Sequence, residues 1–239
     1  MKERMSRFRE GLHALSTAQK PKRGVSLYSR WVNRPLGRVF ASAAYAIGWG
    51  PNTVTAVSAV VTLAGLITLA VLPVTIPTGV LAAVLLVLGF ALDSSDGQVA
   101  RLTGRSSAAG EWLDHVVDAG KMVAVHAAVL IGWARADVVP NAALLIPIAY
   151  QLVAVVLFSG MTIFELLQRA AGTRAAASDR PPSTVRAIAL LPADYGILAL
   201  SFVLWGIPAV FAPVYVALLA FTALITVALL VKWFRGLRG

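Results

Sequence analysis

The chain has no cysteine, only three histidines, and only 11 acidic residues against 21 lysines and arginines. Without cysteine there is neither a disulfide framework nor a thiolate metal site, and nothing is implied about compartment. Charge of either sign is scarce: 13% of 239 residues are charged, 58% are hydrophobic, and the mean hydropathy is +0.77. That composition excludes an ordinary soluble domain and describes a polytopic, all-α membrane protein. The first thirty residues are basic but hold no apolar run, so a cleaved signal peptide is not expected. A net charge of +10 raises the question of nucleic acid. The basic residues, however, stand in short segments flanking apolar runs, the pattern of cytoplasmic loops, and no nucleic-acid partner is expected.

Residues 1–28 read as a cytosolic basic arm with no hydrophobic period long enough for a buried helix. Residues 29–50 mix Trp31, Val32, Leu36, Val39 and Phe40 with Arg30, Arg34 and Arg38, which suits a helix lying at the membrane interface. Gly48-Trp49-Gly50-Pro51-Asn52 breaks it, and Asn52 with Thr53 offers an N-cap. The transmembrane domain then runs from 51 to 234, with a short cytosolic tail at 235–239. Six apolar segments, near 53–72, 76–100, 108–133, 139–168, 188–207 and 210–232, each approach the roughly 20 residues needed to cross a bilayer. Pro192 and Asp194 interrupt the fifth. With both termini in the cytoplasm, 19 of the 21 basic residues fall on the cytoplasmic side. The positive-inside rule therefore places both termini there, in a multi-pass cell-membrane protein.

The most informative stretch is Asp93 to Asp118, where four carboxylates sit in strongly apolar surroundings. An ionised side chain in hydrocarbon is costly, so intramembrane aspartates point to function. Asp93 and Asp96 are three apart and Asp114 and Asp118 four apart, so on helices each pair projects from one face. A short turn between two helices puts both pairs roughly 10–15 Å from it, at similar depth, and the pairs converge. Converging carboxylates favour hard cations such as Mg²⁺ or Mn²⁺. Under the expected topology the cluster lies in the cytoplasmic half of the bilayer, within reach of a water-soluble or nucleotide-bearing substrate.

Asp93-x2-Asp96-Gly97-x2-Ala100-Arg101-x8-Gly110-x3-Asp114-x3-Asp118 resembles the complete signature of the CDP-alcohol phosphotransferase family. Pro51-Asn52-x2-Thr55 also resembles the segment before that family's first spanning helix. The resemblance implies an integral-membrane transferase that moves a phosphoalcohol or phosphatidyl group from a CDP-linked donor to an acceptor hydroxyl, releasing CMP. It implies two divalent metals held by Asp93, Asp96, Asp114 and Asp118. It makes Asp118 the general base, a role its place one turn deeper than Asp114 also suits. Ser107 would touch the donor phosphates, and Asn52, Thr53, Val54 and Thr55 would line the nucleotide end. Paired metals are chemically apt for a pyrophosphate, which they bridge and neutralise.

Several residues keep two readings. Gly97 either admits a nucleotide to the helix surface or lets two helices pack closely. Arg101 either forks onto phosphate or snorkels from a helix end. Lys121, on the face of Asp114, either counters the carboxylates or binds an anionic substrate. Arg34 lies in Ser29-Arg30-Trp31-Val32-Asn33-Arg34-Pro35, which resembles members handling CDP-linked polar alcohols such as inositol phosphates; the same basic run equally suits an anchor to anionic lipid. Arg169, Arg174, Arg180 and Arg186 form a basic loop for an anionic substrate or for topology alone. His126 reads as a core residue, and His13 and His115 carry no site. Two other functions compete: an Asp-rich intramembrane prenyltransferase, against which the glycine and arginine spacing argues, and a cation or proton transporter, which the lack of an internal repeat disfavours. A homodimer is a further expectation.

Overall fold

The computed structural model describes residues 2–17, 25–172 and 183–238, which are helical with no strand among them. The helices are α1 (Lys2–Thr17), α2 (Arg34–Ile47, entered through a π-helical turn at Ser29–Asn33), α3 (Pro51–Val71), α4 (Ile76–Thr103), α5 (Ala108–Ala136), α6 (Leu145–Ala170), α7 (Thr184–Ala189), α8 (Tyr195–Ser201) and α9 (Pro208–Arg238). Their starts follow from local chemistry. Proline, whose missing N–H costs nothing in a first turn, opens α3 and α9, while the Thr75 and Ser107 hydroxyls accept from the backbone N–H of Thr78 and Gly110 at the starts of α4 and α5. Gly104, at φ 64°, ends α4 in the left-handed conformation, which keeps the turn to α5 short.

Among the described residues five helices are long and apolar enough to cross a membrane: α3, α4, α5, α6 with its leading turn from Asn141, and α9. The fifth expected span, 188–207, is not a continuous helix. It breaks into α7, a 3₁₀ turn at Leu191–Ala193, α8 and a further turn at Phe202–Leu204. Its apolar helical stretch, Tyr195–Leu204, rises about 15 Å, half of the ~30 Å hydrocarbon core. The break lies at Pro192 and Asp194. Asp194 caps α8 through the Gly196 N–H at 2.8 Å, and the same carboxylate accepts from Ser29 Oγ at 2.7 Å and from Ser26 Oγ.

The N-terminal arm also departs from expectation, for residues 2–17 form a helix with a buried residue. Arg7, Gly11 and Leu15, spaced four apart, make one stripe. Leu15 is fully buried beside Ala41 and Ala44 of α2, Gly11 abuts Ser42, and the Arg7 guanidinium lies 5.0 Å over the Tyr45 ring. One large apolar side chain suffices because small residues on α2 let the helices approach. Lys20, Lys22 and Arg23 of the arm lie outside the described residues. At the other chain end, helix α9 runs on to Arg238 through the segment read as a tail.

The largest buried cluster is aromatic. Trp133, Trp205, Phe211 and Tyr215 pack with Leu69, Leu86 and Val129 toward the end of α3 and α5 remote from the α4–α5 turn. A smaller cluster, Leu15, Ala41, Ala44, Val54 and Val99, lies toward the opposite end. Between them α4 and α5 each pack along α3 but make little contact with each other. The space left between α4 and α5 is where the aspartates project.

Candidate active site

Asp93 precedes the end of α4 by ten residues, and Asp118 follows the start of α5 by ten. At 1.5 Å per residue both stand about 15 Å from the turn. Equal depth brings one carboxylate oxygen each of Asp93, Asp114 and Asp118 within 4.8 Å of one another. Asp96 is not in that triplet. Its carboxylate is buried and accepts from Thr55 Oγ1 at 2.6 Å and from the backbone N–H of Gly97.

Asp93, Asp96 and Asp114 line an open cavity of about 230 Å³ together with Arg34, Arg101 and Gly97. Asp118 adjoins this cavity through its partners and does not line it. The two arginines place positive charge opposite clustered carboxylates in one recess. Burial first, then the neighbouring Arg101 and Arg30, hold the Arg34 pKa below its ordinary value. Like charges facing one cavity repel, and an anion between them relieves that repulsion. At Gly97 an added Cβ would meet only Arg101 Nη1, at 3.8 Å. No neighbouring helix abuts Gly97, so close helix packing does not account for it and its surface toward the cavity is open. Gly37, by contrast, abuts Ser94 and Gln98, fixing α2 against α4 so that Arg34 reaches the cavity.

Other expected residues are distributed unevenly. The Asn52 and Ser107 side chains both approach Gly110, where a Cβ would lie 3.1 Å from Asn52 Oδ1 and 3.2 Å from Ser107 Oγ. Thr53 is exposed away from the cavity lining. Val54 is 1% exposed, with its side chain in the smaller apolar cluster, so only its backbone is left to face a ligand. Lys121 is buried with its ammonium on Asp93 and, at 3.2 Å, on Asp118 Oδ1. Arg169 pairs with Glu111 and reaches Glu165 at 3.9 Å, while Arg174 and Arg180 lie outside the described residues. His126 bonds Tyr215 through Nδ1 at 2.6 Å and stacks on Tyr150, as a core histidine does.

Sequence reasoning missed Ser58, whose hydroxyl reaches Asp93 Oδ1 at 3.3 Å. The signal was present: Thr55, Ser58 and Thr62 form a polar stripe at helical spacing on an otherwise apolar span. It also missed Tyr195, whose ring lies 5.2 Å from Phe90, one turn before Asp93, and whose buried hydroxyl has no protein partner among the described residues. No local pattern marks that residue.

An all-oxygen set of converging carboxylates bordering an open, polar cavity fits hard divalent cations and offers nothing to soft ones. The sequence model of the CDP-alcohol phosphatidyltransferase family matches residues 49–234. The chain belongs to that family. Membership makes it a multi-pass membrane transferase of phosphoalcohol groups from CDP-alcohols, and it decides against the prenyltransferase and transporter readings. The family match begins just before α3 and takes in the aspartates, both helices that carry them, and the interrupted segment at α7–α8. No curated protein matches the chain.

Proposed function

We propose that the chain transfers a phosphoalcohol or phosphatidyl group from a CDP-linked donor to an acceptor hydroxyl, releasing CMP, with Asp93, Asp96, Asp114 and Asp118 holding two Mg²⁺ or Mn²⁺ ions. The observation that carries this reading is the convergence of Asp93, Asp114 and Asp118 beside a cavity that also presents Arg34, Arg101 and the bare edge of Gly97. When bound, the cations would neutralise the donor pyrophosphate and polarise the phosphorus under attack. Arg34 and Arg101 bind donor phosphate oxygens, and Gly97 gives the nucleotide room. Thr55 and Ser58 orient Asp96 and Asp93 from the neighbouring helix. Asp118 takes the proton of the acceptor hydroxyl as its oxygen bonds to the phosphorus bearing the donor alcohol. The bond from that phosphorus to the bridging oxygen breaks, and CMP leaves with the electron pair.

The sidedness follows from charge. Arg101 and Arg105, Arg169 and Arg186, and Lys232, Arg235 and Arg238 all stand at ends of segments that the positive-inside rule assigns to the cytoplasm. Both termini and the site are then cytoplasmic, which requires residues 187–207 to cross as a broken segment rather than one helix. Exposed Leu36, Val39 and Ile47 give α2 an apolar outer surface suited to the interface, and Trp31, 75% exposed, adds to it from the turn that enters the helix. The test is a donor screen with purified protein and Mn²⁺. Transfer of label from CDP-diacylglycerol, CDP-inositol or CDP-glycerol to an acceptor supports the reading and names the substrate; label that stays on every donor refutes it.

A further inference from the structure

Lys121 is the one cation in direct contact with the clustered carboxylates among the described residues, and nothing in the transfer reaction uses it. Its ammonium contacts Asp93 Oδ1 and, at 3.2 Å, Asp118 Oδ1, so it stands between α4 and α5 rather than along one helix. The residue is 8% exposed and its ammonium is already taken up by two carboxylates, so it is not displayed toward the cavity as Arg34 and Arg101 are. Three carboxylates within 4.8 Å of one another repel, and holding them half-buried without a counter-charge is costly. Asp93 Oδ1 accepts from Ser58 as well, but a neutral hydroxyl offsets little of that repulsion.

We infer that Lys121 is the internal counter-cation of the carboxylate cluster and competes with a divalent cation for Asp93 and Asp118. The inference rests on the metal reading proposed above. Its physical content is that the ammonium holds the carboxylates together before loading and gives up at least one of them when the site fills. Lys121 thereby weakens metal binding while keeping the unloaded bundle intact. If the ammonium occupies the carboxylates in nine molecules of ten, apparent affinity falls about tenfold, because the competent fraction divides the intrinsic dissociation constant.

The experiment is Mn²⁺ binding to the purified protein, read from the electron paramagnetic resonance signal of free aqueous Mn²⁺, for wild type, K121M and K121Q. Both variants should bind Mn²⁺ with a dissociation constant lower by about tenfold or more. In EDTA they should melt below wild type and recover on adding Mn²⁺. Should K121M fail to fold, K121Q, which keeps a polar side chain without charge, carries the same expectation. Wild-type binding with unchanged or weaker binding in the folded variant would overturn the role of Lys121 and leave the metal reading standing. No binding by wild type or by either folded variant would overturn both.

Discussion

Gly97→Ala separates the two demands made on α4, because the structure predicts opposite signs for stability and for catalysis. The position is inside a helix, where glycine costs roughly 0.5–1 kcal/mol relative to alanine. The new methyl would meet only the end of the Arg101 side chain, at 3.8 Å, so no strain offsets that gain. At about 2–4 °C per kcal/mol for a chain of this size, the melting temperature should rise by roughly 1–4 °C. The same methyl points into the cavity where donor phosphate must approach. Crowding a filled site by one methyl typically costs about 1–3 kcal/mol, which corresponds to a loss of about 5- to 150-fold in kcat/KM. Thermal unfolding in detergent, followed by the fluorescence of the six tryptophans, reads the first quantity, and steady-state kinetics read the second. A fall of several degrees would mean that Gly97 serves helix packing after all; unchanged kcat/KM would mean that the donor does not pass over this face.

Asp93→Ala, Asp96→Ala and Asp114→Ala should each abolish turnover while the protein stays folded in detergent, and a near-wild-type rate in any of them would remove that residue from the metal site. Asp118→Asn keeps the size and one ligating oxygen of the side chain but loses its proton affinity, so it should bind donor and Mn²⁺ nearly normally yet turn over at least ~10²-fold more slowly, the usual contribution of a positioned base. Loss of Mn²⁺ binding in that variant would make Asp118 a ligand first. Asp194→Ala removes the α8 cap and strips Ser26 and Ser29 of their acceptor, for a loss of about 2–4 kcal/mol measured by thermal unfolding. An unchanged melting temperature would show that the tie between the N-terminal segment and α8 contributes nothing. Arg169→Ala should leave kinetics intact and cost at most about 1 kcal/mol, because its ion pair with Glu111 is exposed.

The aspartates were legible in the sequence because their convergence depends on two local facts, helical spacing and a short turn, which Gly104 and Ser107 supply. The individual partners of those aspartates were less so. Nothing local to Pro51-Asn52 marks the Thr55 hydroxyl as a donor to Asp96, 41 residues away. Val54 adjoins Thr53 and Thr55 in sequence, but in a helix adjacent positions face different ways, and Val54 points into the core with Leu15. Helix α1 leaves little trace in the sequence because its buried stripe holds one large apolar residue and its packing relies on small residues of α2 that carry no signal by themselves. The broken fifth segment was visible as Pro192 and Asp194, but the reason a carboxylate is tolerated there was not. Its hydroxyl partners, Ser26 and Ser29, lie 168 and 165 residues away in the chain.

The most direct test is CMP release by the purified protein from a panel of CDP-alcohols, each with an acceptor alcohol, measured with saturating Mn²⁺ and again after exhaustive EDTA treatment. The account predicts CMP release from at least one donor, dependent on the acceptor, absent in EDTA and restored by Mg²⁺ or Mn²⁺. Full CMP release in EDTA, or none from any donor by folded protein in Mn²⁺, would contradict it.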